Sequence, residues 1–155
     1  MNLGIVSCTL ALGLLASQAM AASCTATAVD VAFGRISTLS SAEQNTNGTV
    51  TVTCRSTVVE TVSFSLGLST GYSGTYLHRH MQTNNGPGFA YQLYLDPART
   101  LVWGDGTGGT QVLRGSMTLR ANTVRQDFAV YGRVFGHQKF PVGTFADNLT
   151  LLLNY

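Results

Sequence analysis

Apolar and polar residues alternate at period two along most of this chain, the spacing of strands with one buried and one solvated face. Val29, Val31 and Phe33 share one face of a first predicted strand. Val50, Val52 and Cys54 share one face of a second, with Thr49, Thr51 and Thr53 opposite, so Cys54 is expected to point inward. Val62, Phe64, Leu66 and Leu68 alternate with Ser and Gly in the clearest half-buried strand. Further runs are Phe89 to Leu95, a short Leu101 to Trp103, Leu113 to Leu119 around Gly115, and Gln126 to Phe135. A last strand is expected from Phe145 to Tyr155, with Leu149, Leu151, Leu153 and Tyr155 on the core side. Turn-rich segments such as Gly71 to Gly74 and Gly104 to Gly109 separate these runs, and no amphipathic helix interrupts them. About seven or eight strands in one domain predict an all-β sandwich.

Composition narrows the function classes. Of the 155 residues 10% are charged, against roughly 25% in ordinary globular proteins. A net charge of +2 with scattered arginines neutralises few phosphates, so no nucleic-acid partner is expected. The N-terminal stretch has no charged side chain from Leu3 to Ala22, and Ala19-Met-Ala21 fits a cleavage site. Residues 1–21 therefore read as a secretory signal peptide cut after Ala21 or Ala22, with 22–155 as the mature domain and no membrane span within it. Cleavage removes Cys8 and leaves Cys24 and Cys54, which in an oxidising compartment predicts one disulfide over two unpaired thiols.

Motifs that would carry catalysis are weak. Gly104-Asp-Gly106-Thr-Gly-Gly109 matches G-x-G-x-x-G, but strand-like residues follow it where a phosphate-binding helix would have to begin. Asp105 alone is too little for a calcium loop. His78 and His80 would share one side of a strand without a third ligand near them, so no metal or other cofactor is expected. No G-x-S-x-G is present, and an enzyme is not expected. A carbohydrate platform built on Trp103 with Tyr72, Tyr76 and Tyr91 is the alternative from another class.

A core-facing strand at the end of the chain would leave an empty position beside it, an apolar groove with an unpaired backbone edge that another chain's extended segment can fill. The mature chain resembles the spore coat protein U domain family, found in subunits of archaic chaperone-usher pili. The resembling pieces are Cys24-Thr-Ala with Val31-Ala-Phe-Gly34, Gly48-Thr-Val-Thr-Val-Thr-Cys54, Tyr91-Gln-Leu-Tyr94, Arg99-Thr-Leu-Val-Trp-Gly-Asp-Gly-Thr107, Val130-Tyr-Gly-Arg133 and Pro141-Val-Gly-Thr-Phe-Ala-Asp147.

The resemblance implies an incomplete immunoglobulin-like sandwich that lacks its final strand and has no catalytic site. Its implied partners are a periplasmic pilus chaperone, an outer-membrane usher and neighbouring pilus subunits. It further implies export to the cell surface, donor-strand complementation, and service in attachment and biofilm or in a secreted protein coat. Cys24 and Cys54 carry over as the bridge, and Leu149, Leu151, Leu153 and Tyr155 as the strand beside the acceptor groove. One departure stands out: the expected cleavage leaves only a few residues ahead of Cys24, too short a segment to donate. The expected role is thus a terminal or minor subunit that accepts a strand, or a coat-type protein.

Overall fold

The computed structural model describes residues 21–37, 42–83 and 86–155, so residues 1–20 of the expected signal peptide lie outside the described residues. The described residues form an immunoglobulin-like β-sandwich of eight strands, as the pattern suggests. In chain order these are β1 (Ser23–Ala28), β2 (Gln44–Arg55), β3 (Val59–Leu68), β4 (Arg79–Thr83), β5 (Gly86–Tyr94), β6 (Leu113–Arg120), β7 (Thr123–Val134) and β8 (Leu151–Asn154). One sheet has the order β1-β2-β7-β5-β4 and the other β6-β3-β8.

The backbone of the larger sheet is the long antiparallel pairing of β2 with β7, from Gln44 opposite Val134 to Arg55 opposite Thr123. Its alternation sends Val50, Val52, Cys54, Val130 and Val134 into the core. From the facing sheet come Val62, Phe64, Leu66 and Leu68 of β3 with Met117 and Leu119 of β6. Cys24 lies directly opposite Cys54 in the β1–β2 ladder, and the two form a disulfide. The bridge fixes β1 to the sheet at one edge of the sandwich.

Three elements differ from the pattern. The first strand is Ser23–Ala28, and Val29 to Phe33, where the alternation places it, have no ladder. The chain leaves β2 after Val29 donates to the Thr49 carbonyl at 3.0 Å. From there β2 holds it by side chains: Thr46 Oγ1 donates to the Ala32 carbonyl at 3.0 Å and Gln44 Nε2 to that of Phe33. Phe33 is nevertheless buried, edge-on to Tyr91, over a bare patch at Gly132 where a Cβ would come within 2.8 Å of its ring.

The alternation does not predict strand β4, because its inward residue is an arginine. Arg79 is fully buried, donating to Gln92 Oε1 at 2.6 Å and to the Ser69 carbonyl at 2.8 Å. The last strand is shorter than expected. Residues 145–150 precede β8, Ala146 exchanges both backbone hydrogen bonds with Gln82 of β4, and Leu149 lies outside the strand.

Candidate functional site

Two adjoining apolar cavities of about 400 and about 780 Å³ run along the open side of the sandwich and share Val31, Phe33, Met81 and Phe145 in their linings. One wall is the segment after β1, residues 28–37; the other is the segment leading into β8, residues 140–151. Between these walls the floor is core: Val50, Leu68, Leu93, Trp103 and Val130 at one end, Phe89 at the other. Phe89, Phe140 and Phe145 form an aromatic cluster with ring centroids 4.9 to 5.5 Å apart. Apolar side chains stand in solvent at both rims, Val29 at 68% exposure and Val142 completely.

Strand β8 forms the edge beside this groove. It pairs with β3 on one side only, Leu68 opposite Leu151 through Ser65 opposite Asn154. Just ahead of it, Ser69 N–H donates to the Thr150 carbonyl and Thr150 N–H to Ser69 Oγ. Alternation then turns the polar backbone groups of Thr150, Leu152 and Asn154 toward β3, and those of Leu151 and Leu153 toward the open edge. Residues 149–155 include no charged side chain. The opposite edge of the same sheet, β6, carries exposed Arg114 and Arg120 on its outer face. Charged side chains on one edge and none on the other leave β8 the edge suited to pairing with another strand.

Leu149, Leu151 and Leu153 are half-buried against the core, and the first two line the groove. Tyr155 is 58% exposed, which corrects its expected place on the core side: β8 ends at Asn154 and its alternation does not extend to the tyrosine.

The aromatic platform is also corrected. Trp103 is 2% exposed and its indole N–H donates to the Leu66 carbonyl at 3.0 Å, so the ring belongs to the core and offers no face to a sugar. Tyr91 is likewise buried, whereas Tyr72 lies on the surface.

The Gly104–Gly109 stretch is a turn. Gly106, Gly108 and Gly109 have positive φ, and Asp105 Oδ1 accepts from the backbone N–H and the hydroxyl of Thr107. Those bonds hold the Asp105 carboxyl below its ordinary value. His78 precedes β4 and His80 lies within it, and among the described residues no group of His, Cys, Asp and Glu is placed to hold a metal. No helix among the described residues is long and apolar enough to cross a membrane.

One residue of the groove wall escapes sequence reasoning as a site residue. Asp147 follows the Ala146–Gln82 pair, and its carboxylate reaches across to two other segments. Oδ2 accepts from the Tyr91 hydroxyl at 2.6 Å and Oδ1 from the Tyr72 N–H at 2.9 Å. The carboxylate sits against the α-carbon of Gly71, which has φ +70°, and a Cβ there would come within 2.3 Å of it. Burial, reinforced by the bond to Asp147, raises the Tyr91 phenol far above its ordinary value. Beside it the Arg79 guanidinium is lowered by burial, opposed by the nearby Tyr91 and Asp147. Only the Asp147-to-Gly71 and Tyr91 contacts in three dimensions reveal this role, since these residues are far apart in sequence.

A chain of the CsuC–CsuE chaperone–tip adhesion subunit pre-assembly complex, from archaic chaperone-usher Csu pili of Acinetobacter baumannii, has a similar structure. The TM-score is 0.57 at 17% sequence identity, over 87% of this chain and 40% of that one. This chain therefore spans less than half of the protein it resembles, and the likeness is one of fold. No curated protein matches the sequence. The family model for the Spore Coat Protein U domain, however, matches residues 11–151, nearly the whole sequence, and the chain belongs to that family.

Proposed function

We propose that this protein is a noncatalytic structural subunit of an exported chaperone-usher fibre, and that it accepts an extended segment of a partner chain in the groove between residues 28–37 and 140–151, along the open edge of β8. The observation that carries the reading is the uncharged, one-sided β8 edge opening onto an apolar groove. A strand laid there gains backbone hydrogen bonds from Leu151 and Leu153 and buries alternate side chains on the floor. The similar fold of a chaperone-bound pilus subunit complex supports the same reading.

In this account a periplasmic chaperone fills the groove first, an outer-membrane usher receives the subunit, and a neighbouring subunit's strand replaces the chaperone at the cell surface. Residues 1–21 direct export, and the Cys24–Cys54 bridge forms on the way. Attachment and biofilm formation are the roles such a fibre serves. The glycan-binding alternative has lost its central ring, because Trp103 is in the core.

Expression in the periplasm, alone and beside the genomically neighbouring chaperone, tests the proposal by size-exclusion chromatography. Self-association that grows with concentration when the protein is alone, and a defined one-to-one complex with the chaperone, are expected. A stable monomer that ignores the chaperone would overturn it.

A further inference from the structure

The wall of the groove is tied to a surface loop by one side chain. Between β3 and β4 the chain makes a loop, residues 69–78, that includes the short 3₁₀ turn Gly71–Ser73 and exposes Tyr72 and Leu77. Ser69, at its start, bonds to Thr150 on the β8 side. Asp147 holds the turn itself through the Tyr72 N–H, while its other oxygen is anchored on the buried Tyr91 hydroxyl. Beneath the loop, Arg79 grips the Ser69 carbonyl and Gln92, and Gln92 Nε2 donates to the Tyr76 carbonyl at 2.7 Å. The groove wall and the loop thus stand on one polar network, whose members Asp147 and Tyr91 also line the groove.

We propose that Asp147 is a positioning residue that couples the two: it sets the groove wall for strand uptake, and an occupied groove in turn tightens loop 69–78. The inference rests on the acceptor reading above. A strand seated along 147–153 restricts the wall, and the Asp147 carboxylate passes that restriction to the Tyr72 amide it holds. By linkage the effect runs both ways: whatever loosens the carboxylate's hold on the loop weakens uptake by the same factor.

The test uses the exported protein and a synthetic peptide of alternating valine and threonine with flanking lysines. It is about ten residues long, the reach of an extended chain along residues 28–37. Peptide affinity and amide exchange at Tyr72 are measured for the wild type and for Asp147→Ala, Asp147→Asn and Tyr91→Phe. Val62→Ala, in the core away from the groove lining, serves as the destabilised control.

Peptide is expected to slow Tyr72 exchange in the wild type. Asp147→Ala should weaken affinity about tenfold, within the usual range of inter-site couplings, and abolish that protection. Asp147→Asn, which keeps one acceptor oxygen, and Tyr91→Phe, which leaves the Tyr72 bond, should fall between. Val62→Ala should bind like wild type. Equal affinity for Asp147→Ala and wild type, or an equal loss in Val62→Ala, would overturn the coupling while leaving the acceptor groove intact. A wild type that takes up no peptide would overturn the acceptor reading itself, and this inference with it.

Discussion

At Trp103 the ring fills the core and the indole N–H satisfies the Leu66 carbonyl, so its chemistry is that of a strut. Trp103→Phe keeps an aromatic ring but removes that buried hydrogen bond and part of the core packing, a loss of about 1–3 kcal/mol. Urea unfolding followed by tyrosine fluorescence measures it.

Tyr91 predicts a pH dependence. Burial, with Asp147 reinforcing it, raises the phenol above its ordinary value of 10.0, so the folded chain holds that proton more tightly than the unfolded chain does. The resulting stability is complete below pH 10 and falls as pH rises above it. Tyr76 and Tyr94 shift in the same direction, burial again being the largest cause, so Tyr91→Phe should flatten this alkaline decline without removing it. Unfolding free energies between pH 8 and pH 11 decide the matter.

Among the elements, β8 is the one whose two sides do different work. Its alternation predicts opposite outcomes for neighbouring substitutions. Leu151→Pro removes an N–H that faces the open edge, a position where proline is tolerated, so the protein should fold and fail to capture a partner strand. Leu152→Pro removes an N–H directed at β3 and should unfold the edge of the smaller sheet. Circular dichroism with a pull-down on the chaperone separates the two.

Whether an element is legible in the sequence depends on whether its core positions are apolar and periodic. Strands β2, β3 and β7 stand out because apolar residues recur at every second position where they meet the core, at Val50 to Cys54, Val62 to Leu68 and Phe128 to Val130. β4 is hidden because its core position is Arg79, whose burial depends on Gln92 and Ser69 and has no periodic signature. The run from Val29 to Phe33 alternates like a strand, yet Thr46 and Gln44 take its carbonyls with side chains, and local pattern does not distinguish that from a ladder. The alternation of Leu149, Leu151 and Leu153 makes the apolar residues beside the groove legible, but not that the strand begins only at Leu151. Asp147 is not legible, since its partners come from two distant segments of the chain.

For the whole molecule, the sandwich has one edge fixed covalently and one edge open. The Cys24–Cys54 bridge spans a sequence separation of 30, for which chain entropy gives about 3–4 kcal/mol. Reduction, or Cys24→Ser with Cys54→Ser, should lower stability by that amount and free β1, whose continuation forms a groove wall; guanidinium titrations with and without reductant test it. The open edge is the central claim, and amide hydrogen exchange resolved at β8 tests it most directly, on the protein alone and in complex with its chaperone. The account predicts that Leu151 and Leu153 exchange fast alone and become protected in the complex, with Leu152 slow in both. Leu151 and Leu153 amides that stay unprotected while the chaperone is bound would contradict it.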